Sequence, residues 1–206
     1  MSATFGAEFL VRWLEATAGA VDREADRLTE LDSAIGDADH GANLKRGFAA
    51  VAELLAKEPP ATPGAVLVAA GRQLISTVGG ASGPLYGTLL RRTGKALGED
   101  ERVGRERLAE AFGVGVAAVS QLGGAQAGDK TMLDALVPAV EGLRSSFGAA
   151  RAAAEEGALA TVPLRARKGR ASYLGERSIG HQDPGATSSA LLFAELAETA
   201  RAEGAA

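Results

Sequence analysis

The sequence predicts an all-α protein, an antiparallel up-and-down barrel or bundle of eight helices. Three observations carry this. Ala, Leu, Glu and Arg dominate the chain, apolar residues recur at spacings of three and four along most of it, and no alternating run bounded by turns reads as a strand. At 206 residues, with 46% hydrophobic and 23% charged side chains, the composition is ordinary for a globular protein. That length suits one well-buried core, so residues 1–206 are read as a single domain.

Taken in order, the helices are expected at about 5–30, 40–57, 63–77, 83–97, 104–122, 131–147, 149–167 and 184–202. The Asp- and Gly-rich run at 31–41 forms the connection between the first and the second. Thr62-Pro63 and Asp183-Pro184 each set a capping side chain before a proline suited to a first helical position, which places the starts of the third and eighth. Glycine-rich runs bound the fourth and the sixth. Pro138 lies inside the sixth, where it removes a backbone hydrogen bond to Asp134 and is expected to bend the rod.

Composition also excludes several function classes. The chain has no Cys, so disulfides, thiolate metal sites and cysteine nucleophiles are ruled out. A net charge of -4 and 4% aromatic residues argue against a nucleic-acid partner; the one basic cluster, Arg165 to Arg170, is too short to overturn that. Apolar residues near the N-terminus are interrupted by Glu8, Arg12 and Glu15, so neither a leader nor a membrane span is expected, and the localisation expected is cytoplasmic.

The chemistry concentrates in Leu31-Asp32-Ser33-Ala34-Ile35-Gly36-Asp37-Ala38-Asp39-His40-Gly41. Three carboxylates crowded into a Gly-bracketed turn repel one another unless a cation joins them. Asp supplies hard oxygen ligands on a short stem, which suits Mg²⁺, Mn²⁺ or Ca²⁺ and not zinc. Asp32, Asp37 and Asp39 are therefore the expected metal ligands. An EF-hand is set aside because the twelfth position counted from Asp37 is Phe48, not Glu. The plain alternative is that Asp37 or Asp39 merely caps the following helix; one Asp fits that role, three with a His do not.

The connections fall into two kinds. Those after helices one, three, five and seven hold the unusual residues: 31–41, 78–84 with Gly79, Gly80 and Ser82, 123–131 with Gly123, Gly124 and Gly128, and 168–184. Those after helices two, four and six are plain. In an up-and-down arrangement all odd connections lie at one end, so four rich loops meet at a common mouth. Each leads into a helix N-terminus, whose free N–H groups and positive dipole end suit phosphate, and Ser82 can add a hydroxyl donor. Three carboxylates with one divalent ion leave a charge of roughly −1, which repels phosphate, whereas two ions leave about +1. Two Mg²⁺ bridging a polyphosphate are expected. Gly123 to Thr131 nearly spells a Walker A loop, but Asp129 is an extra residue and no strand precedes it.

These blocks resemble the nucleotide-binding L subunit of dihydroxyacetone kinase over nearly the whole chain. The resemblance is carried by residues 31–43 and by Gly79-Gly80-Ala81-Ser82-Gly83-Pro84-Leu85-Tyr86-Gly87. It continues through Gly128-Asp129-Lys130-Thr131-Met132-Leu133-Asp134-Ala135-Leu136, and ends with Gly169 to Gly175 and Gly180 to Ala186. It implies an eight-helix barrel that binds ADP or ATP through two Mg²⁺ at its open end. Asp32, Asp37 and Asp39 hold the metal. His40, Gly41 and Asn43 touch the nucleotide, Ala81 and Ser82 its phosphates, and Gly123 or Gly124 with Met132 the adenosine. Arg170 with Asp183, Pro184 and Gly185 closes the site, and Arg170 is the candidate catalytic cation that steadies charge on the transferred group.

In the family, dihydroxyacetone is held covalently on a separate K subunit. Stand-alone versions keep ADP as a retained cofactor that a phosphohistidine protein of the phosphotransferase system rephosphorylates; fused versions use ATP as an ordinary substrate. A related kinase for another small polyol or an acyl group, and a nucleotide sensor without catalysis, are the alternatives. One departure from the family's pattern is Ala38, where Gly is common; alanine fits there if φ is negative. His40 is read as either a scaffold residue or a nucleotide contact, and His181 as scaffold. Tyr173, Leu174 and Ile179 are expected to pack the loop that covers the mouth.

Overall fold

The computed structural model describes residues 3–205, so the reading of the N-terminus at Met1 and Ser2 lies outside the described residues. Eight α-helices are present among them: α1 (Ala7–Ile35), α2 (His40–Lys57), α3 (Pro63–Thr77), α4 (Ser82–Leu97), α5 (Arg105–Gly123), α6 (Leu133–Leu143), α7 (Phe147–Ala160) and α8 (Pro184–Ala202). Each helix packs on the next in sequence, and α1 also meets α8, which closes the ring. Thr62 Oγ1 accepts from the Ala65 N–H (3.2 Å) and Asp183 Oδ2 from the Ala186 N–H (2.7 Å), so both expected proline starts hold. The limits of α2, α3 and α8 match the sequence reading.

The larger differences in helix limits have local reasons. No residue between Leu31 and Gly36 breaks a helix, so α1 runs to Ile35 and carries Asp32 on its last turn instead of in the loop. Asp134 accepts from the N–H groups of Gly128 (2.6 Å) and Thr131 (2.7 Å), which holds that segment as a turn and delays α6 to Leu133. Ser146 then caps α7 through the Ala149 N–H (2.9 Å), separating two helices expected to be nearly continuous. Pro163 disfavours helical backbone at Val162 before it, and α7 stops at Ala160. Residues 170–178 form a 3₁₀ segment that the sequence reading left in a loop. Thr4–Phe5 (β1) and Val103–Gly104 (β2) pair antiparallel, each too short to show alternation.

Helix α6 continues through Pro138. The Asp134 carbonyl that the proline leaves without a helical donor lies against Gly157 of α7, where any Cβ would collide with it. Glycine serves the same purpose between α3 and α4: a Cβ on Gly71 would stand 2.6 Å from the Gly87 carbonyl and 2.7 Å from the Arg91 nitrogen. Inside the ring Trp13, Phe112 and Phe193 stack edge on or tilted, and Trp13 Nε1 donates to the Leu192 carbonyl (2.8 Å), tying α1 to α8. Phe5, Phe9 and Phe147 pack together beside the β1–β2 pair, at the end served by the plain connections. No helix among the described residues is long and apolar enough to cross a membrane. Gly71→Ala is expected to destabilise the fold by about 1–3 kcal/mol, because two backbones must separate to admit one methyl group; urea unfolding measures this.

Candidate functional site

The four odd connections do converge. They enclose a cavity of about 330 Å³ lined by Asp37 and Asp39 from the first, Gly79 to Ala81 from the second, Lys130 to Met132 from the third, and Lys168 to Ala171 with Asp183 from the fourth. Helix ends add Asp32, His40, Ser82, Tyr86, Pro184 and Gly185. The starts of α2, α4, α6 and α8 thus stand around one hollow, and their first amide groups have no helical acceptor.

The acidic cluster is built in two parts. Asp32 Oδ2 accepts from the backbone N–H groups of Asp39 (2.9 Å) and His40 (3.2 Å), so a residue on α1 caps α2. Neither Asp37 nor Asp39 makes a capping hydrogen bond, which removes the plain explanation for both. One carboxylate oxygen from each of Asp32, Asp37 and Asp39 lies within 4.8 Å of the other two. An all-oxygen donor set of three negative charges at that spacing fits a hard divalent cation. Arg170 Nη2 forms an ion pair with Asp37 Oδ2 (2.9 Å), so the guanidinium expected to act on a transferred group rests on the cluster itself. Ile35, Ala166 and Ala171, with Leu174, form a small apolar cluster that anchors the 170–178 segment over the end of α1. Tyr173 does not pack there, being 90% exposed, nor does Ile179, which is 45% exposed.

Backbone geometry corrects one expectation. Ala38, between two of the acidic residues, has φ 61°, in the left-handed region that disfavours a Cβ by about 1–2 kcal/mol. The negative φ that would suit alanine is not adopted.

Four residues expected at the nucleotide are not on the cavity wall. Gly41 is buried against α1, where a Cβ would run into the Ala25 carbonyl. Asn43 lies beneath Gly79 and accepts from Arg46 Nη2 (2.7 Å). Gly123 and Gly124 sit outside the wall, near Leu85 and Lys168 respectively, and Gly124 serves as the left-handed C-cap of α5.

Among the wall residues given no role from sequence, Lys130 and Tyr86 are the most firmly held. Lys130 is 1% exposed, has φ 63°, and its ammonium donates to the carbonyls of Thr161 (2.7 Å) and His181. It therefore ties the third loop to both ends of the fourth. Burial draws its pKa down, opposed by the nearby charges of Asp183 and Asp134. Tyr86 is buried and bonded to Ser188 (2.7 Å) and Ser189 (2.9 Å), and burial pushes its hydroxyl up to about 12. The Leu85-Tyr86-Gly87 run gives no local sign of its partners on α8.

Burial also holds the His40 imidazole below its ordinary value, against the opposing pull of Asp32 and Asp39. Burial pushes the Asp183 carboxyl up to about 7, with Asp134 adding to the rise, while the Ala186 N–H and Lys130 oppose it.

The DAK2 domain model matches residues 34–198. The chain is 45% identical over 202 residues to the PEP-dependent dihydroxyacetone kinase ADP-binding subunit DhaL of Escherichia coli, covering 93% of this chain and 96% of that one. It is 41% identical over 199 residues to the ADP-binding subunit DhaL of dihydroxyacetone kinase 1 of Listeria innocua, covering 95% and 98%. Among solved structures, the dihydroxyacetone kinase of C. freundii in complex with AMP-PNP and Mg²⁺ superposes with a TM-score of 0.74 at 27% identity, over 96% of this chain. This chain spans 35% of the length of that kinase. The ring with its one-ended cavity is thus the architecture of a kinase's nucleotide-binding module. The chain belongs to the DAK2-domain family that contains the L subunits of dihydroxyacetone kinase.

Two predictions follow from the backbone and charge states. Ala38→Gly is expected to raise stability by up to about 1 kcal/mol, since relief of the left-handed penalty exceeds the entropy that glycine loses; thermal or urea unfolding tests it. The Asp183 carboxyl has an ordinary value of 3.8 and holds its proton in the folded state up to about 7. Folding therefore takes up a proton between these values, and stability declines as pH rises through that window. Asp183→Asn keeps an acceptor for the Ala186 N–H and loses this dependence. Urea midpoints at about pH 5 and about pH 7.5 should show the natural chain falling relative to the variant; a constant difference would contradict the assignment.

Proposed function

We propose that this chain is the ADP- and Mg²⁺-binding subunit of a dihydroxyacetone kinase. In this reading it passes a phosphoryl group from a phosphohistidine protein of the phosphotransferase system to dihydroxyacetone held on a separate K subunit. The observation that carries the reading is the convergence of the Asp32, Asp37 and Asp39 oxygens at the mouth of a cavity walled by four helix starts. Identity of 45% and 41% to ADP-binding subunits, over nearly their whole length, supports ADP over an exchanging ATP. A cytoplasmic location accords with these partners.

In this reading the three carboxylates hold two Mg²⁺, which neutralise phosphate charge and orient the diphosphate. The amide groups at the starts of α4 and α8 face the phosphate oxygens, Met132 borders the adenosine, and Asp183 holds the α8 start open toward the cavity. Arg170, paired with Asp37 in this structure, would lend its guanidinium to the transferred group. His40 is a scaffold residue of the site. The work of the chain is positioning and charge neutralisation, which phosphoryl transfer requires.

The test is the content of the purified protein. Denaturation after dialysis should release ADP and magnesium in near-stoichiometric amounts, and the loaded chain should yield sugar phosphate when mixed with a K subunit and a phosphohistidine donor. Asp37→Asn should keep its helix content and lose metal-dependent retention by roughly a hundredfold or more, about 2.7 kcal/mol. Undiminished retention in that variant would remove the metal assignment. An empty chain that turns over added ATP would replace the relay with an ATP-dependent kinase.

A further inference from the structure

The fourth odd connection carries charge that the nucleotide site does not use. Between Thr161 and Gly180 stand five cations, Arg165, Arg167, Lys168, Arg170 and Arg177, against the one carboxylate of Glu176, in a chain whose net charge is -4. Arg170 is paired with Asp37; the other four form no ion pair or side-chain hydrogen bond among the described residues. Arg165 and Arg167 flank the buried Ala166, and both line a recess of about 450 Å³ with Gly128, Leu164 and Ser172. No carboxylate lines it. The recess and the nucleotide cavity share the 165–172 stretch as a wall: Lys168, Arg170 and Ala171 line the cavity, and Arg165, Arg167 and Ser172 the recess. The Arg165 guanidinium lies over Gly175, where a Cβ would stand 3.6 Å from its Nη2. The same segment turns Tyr173 and Ile179 out to solvent.

This display is held rigid from beneath. The Arg167 N–H donates to the Asp129 carbonyl (3.0 Å), the Ala166 N–H to Ser178 Oγ (2.9 Å), and the Gly180 N–H to the Val162 carbonyl (2.8 Å). Ser178 Oγ in turn donates to the Gly175 carbonyl (2.6 Å), and Leu174 packs on Ile35, Ala166 and Ala171. A fixed backbone that presents tyrosine and arginine loses little entropy on association, and both residue types are enriched where proteins meet. Arg165, Arg167 and Tyr173 lie off the wall of the nucleotide cavity, so a bound nucleotide leaves them uncovered.

We infer that the 165–179 segment is a docking ridge for the phosphohistidine donor, whose matching face is acidic. Arg165 and Arg167 receive carboxylates of that face in their recess, and Tyr173 is the aromatic anchor. The inference rests on the relay reading above, and charge selects the occupant. The donor arrives with a phosphoryl group of roughly −1.5 to −2 and leaves without it, whereas the sugar on the acceptor subunit is neutral. Cations beside the mouth therefore draw in the loaded donor and release the spent one.

Single-turnover transfer to the ADP-loaded chain tests this, with a phosphohistidine protein of the phosphotransferase system, phosphorylated from phosphoenolpyruvate, as donor. Arg165→Glu with Arg167→Glu, and separately Tyr173→Ala, should retain ADP and magnesium through dialysis as the natural chain does. The second-order rate of transfer from the donor should fall by about tenfold or more in each, and its decline with added salt should flatten in the charge-reversed variant. Loaded with ATP, the same variants should pass phosphoryl to dihydroxyacetone on a K subunit at the natural rate. Variants that accept from the donor as fast as the natural chain would overturn the ridge, and an equal loss toward donor and K subunit would overturn its assignment to the donor. If the natural chain itself takes no phosphoryl group from the donor, the relay reading fails and this inference with it.

Discussion

Asp32 belongs to two elements at once, and the site depends on that. Its backbone closes the last turn of α1 while its carboxylate accepts from the first amide groups of α2. The turn between the two helices is thereby held short, and Asp37 and Asp39 are left with no structural duty that would use up their charge. Three anionic groups within 4.8 Å are unfavourable by Coulomb repulsion alone; Arg170 offsets the charge of Asp37, and two N–H groups at the α2 start offset part of that of Asp32. A cation is what the remaining charge calls for. The left-handed Ala38 between the two outer carboxylates adds strain to the same turn.

Ring closure turns this local arrangement into a site. Because the helices alternate in direction and α1 returns to α8, the odd connections gather at one end and the even ones at the other. The gathered end is held by polar stays: Lys130 across two loops, Asp134 within the third, and the Tyr86–Ser188–His40 chain between α4, α8 and α2. The opposite end is closed by aromatic packing and a two-residue strand pair. Chemistry and stability are thus largely separated along the barrel axis. The family relationship agrees with this division, since the matched DAK2 region runs from the acidic turn to the last helix.

Much of this was legible in the chain before any coordinates. Pro63 and Pro184, each behind a capping residue, located two helices, and the clustering of glycine and aspartate in alternate connections located the mouth. What could not be read was set by contacts distant in sequence. Ser188 lies 102 residues from Tyr86, and no local pattern joins them. Lys130 reads as a surface lysine until its positive φ and its carbonyl partners are known. Gly41, expected at the nucleotide, also makes room for α1, and Gly124, expected to allow close approach to a ligand, also ends α5. Glycine marks a place where backbone must come near something or turn unusually; sequence alone does not say which. Pro163 was a stop signal that went unused, and α7 was drawn too long for that reason.

The most direct measurement is a crystal structure of the protein grown with Mn²⁺ and ADP, with anomalous scattering used to locate the metal. The account expects anomalous peaks at about 2.0–2.2 Å from oxygens of Asp32, Asp37 and Asp39, with the diphosphate bound beside them in the cavity. A well-defined nucleotide in the cavity with no metal peak at these carboxylates would contradict it.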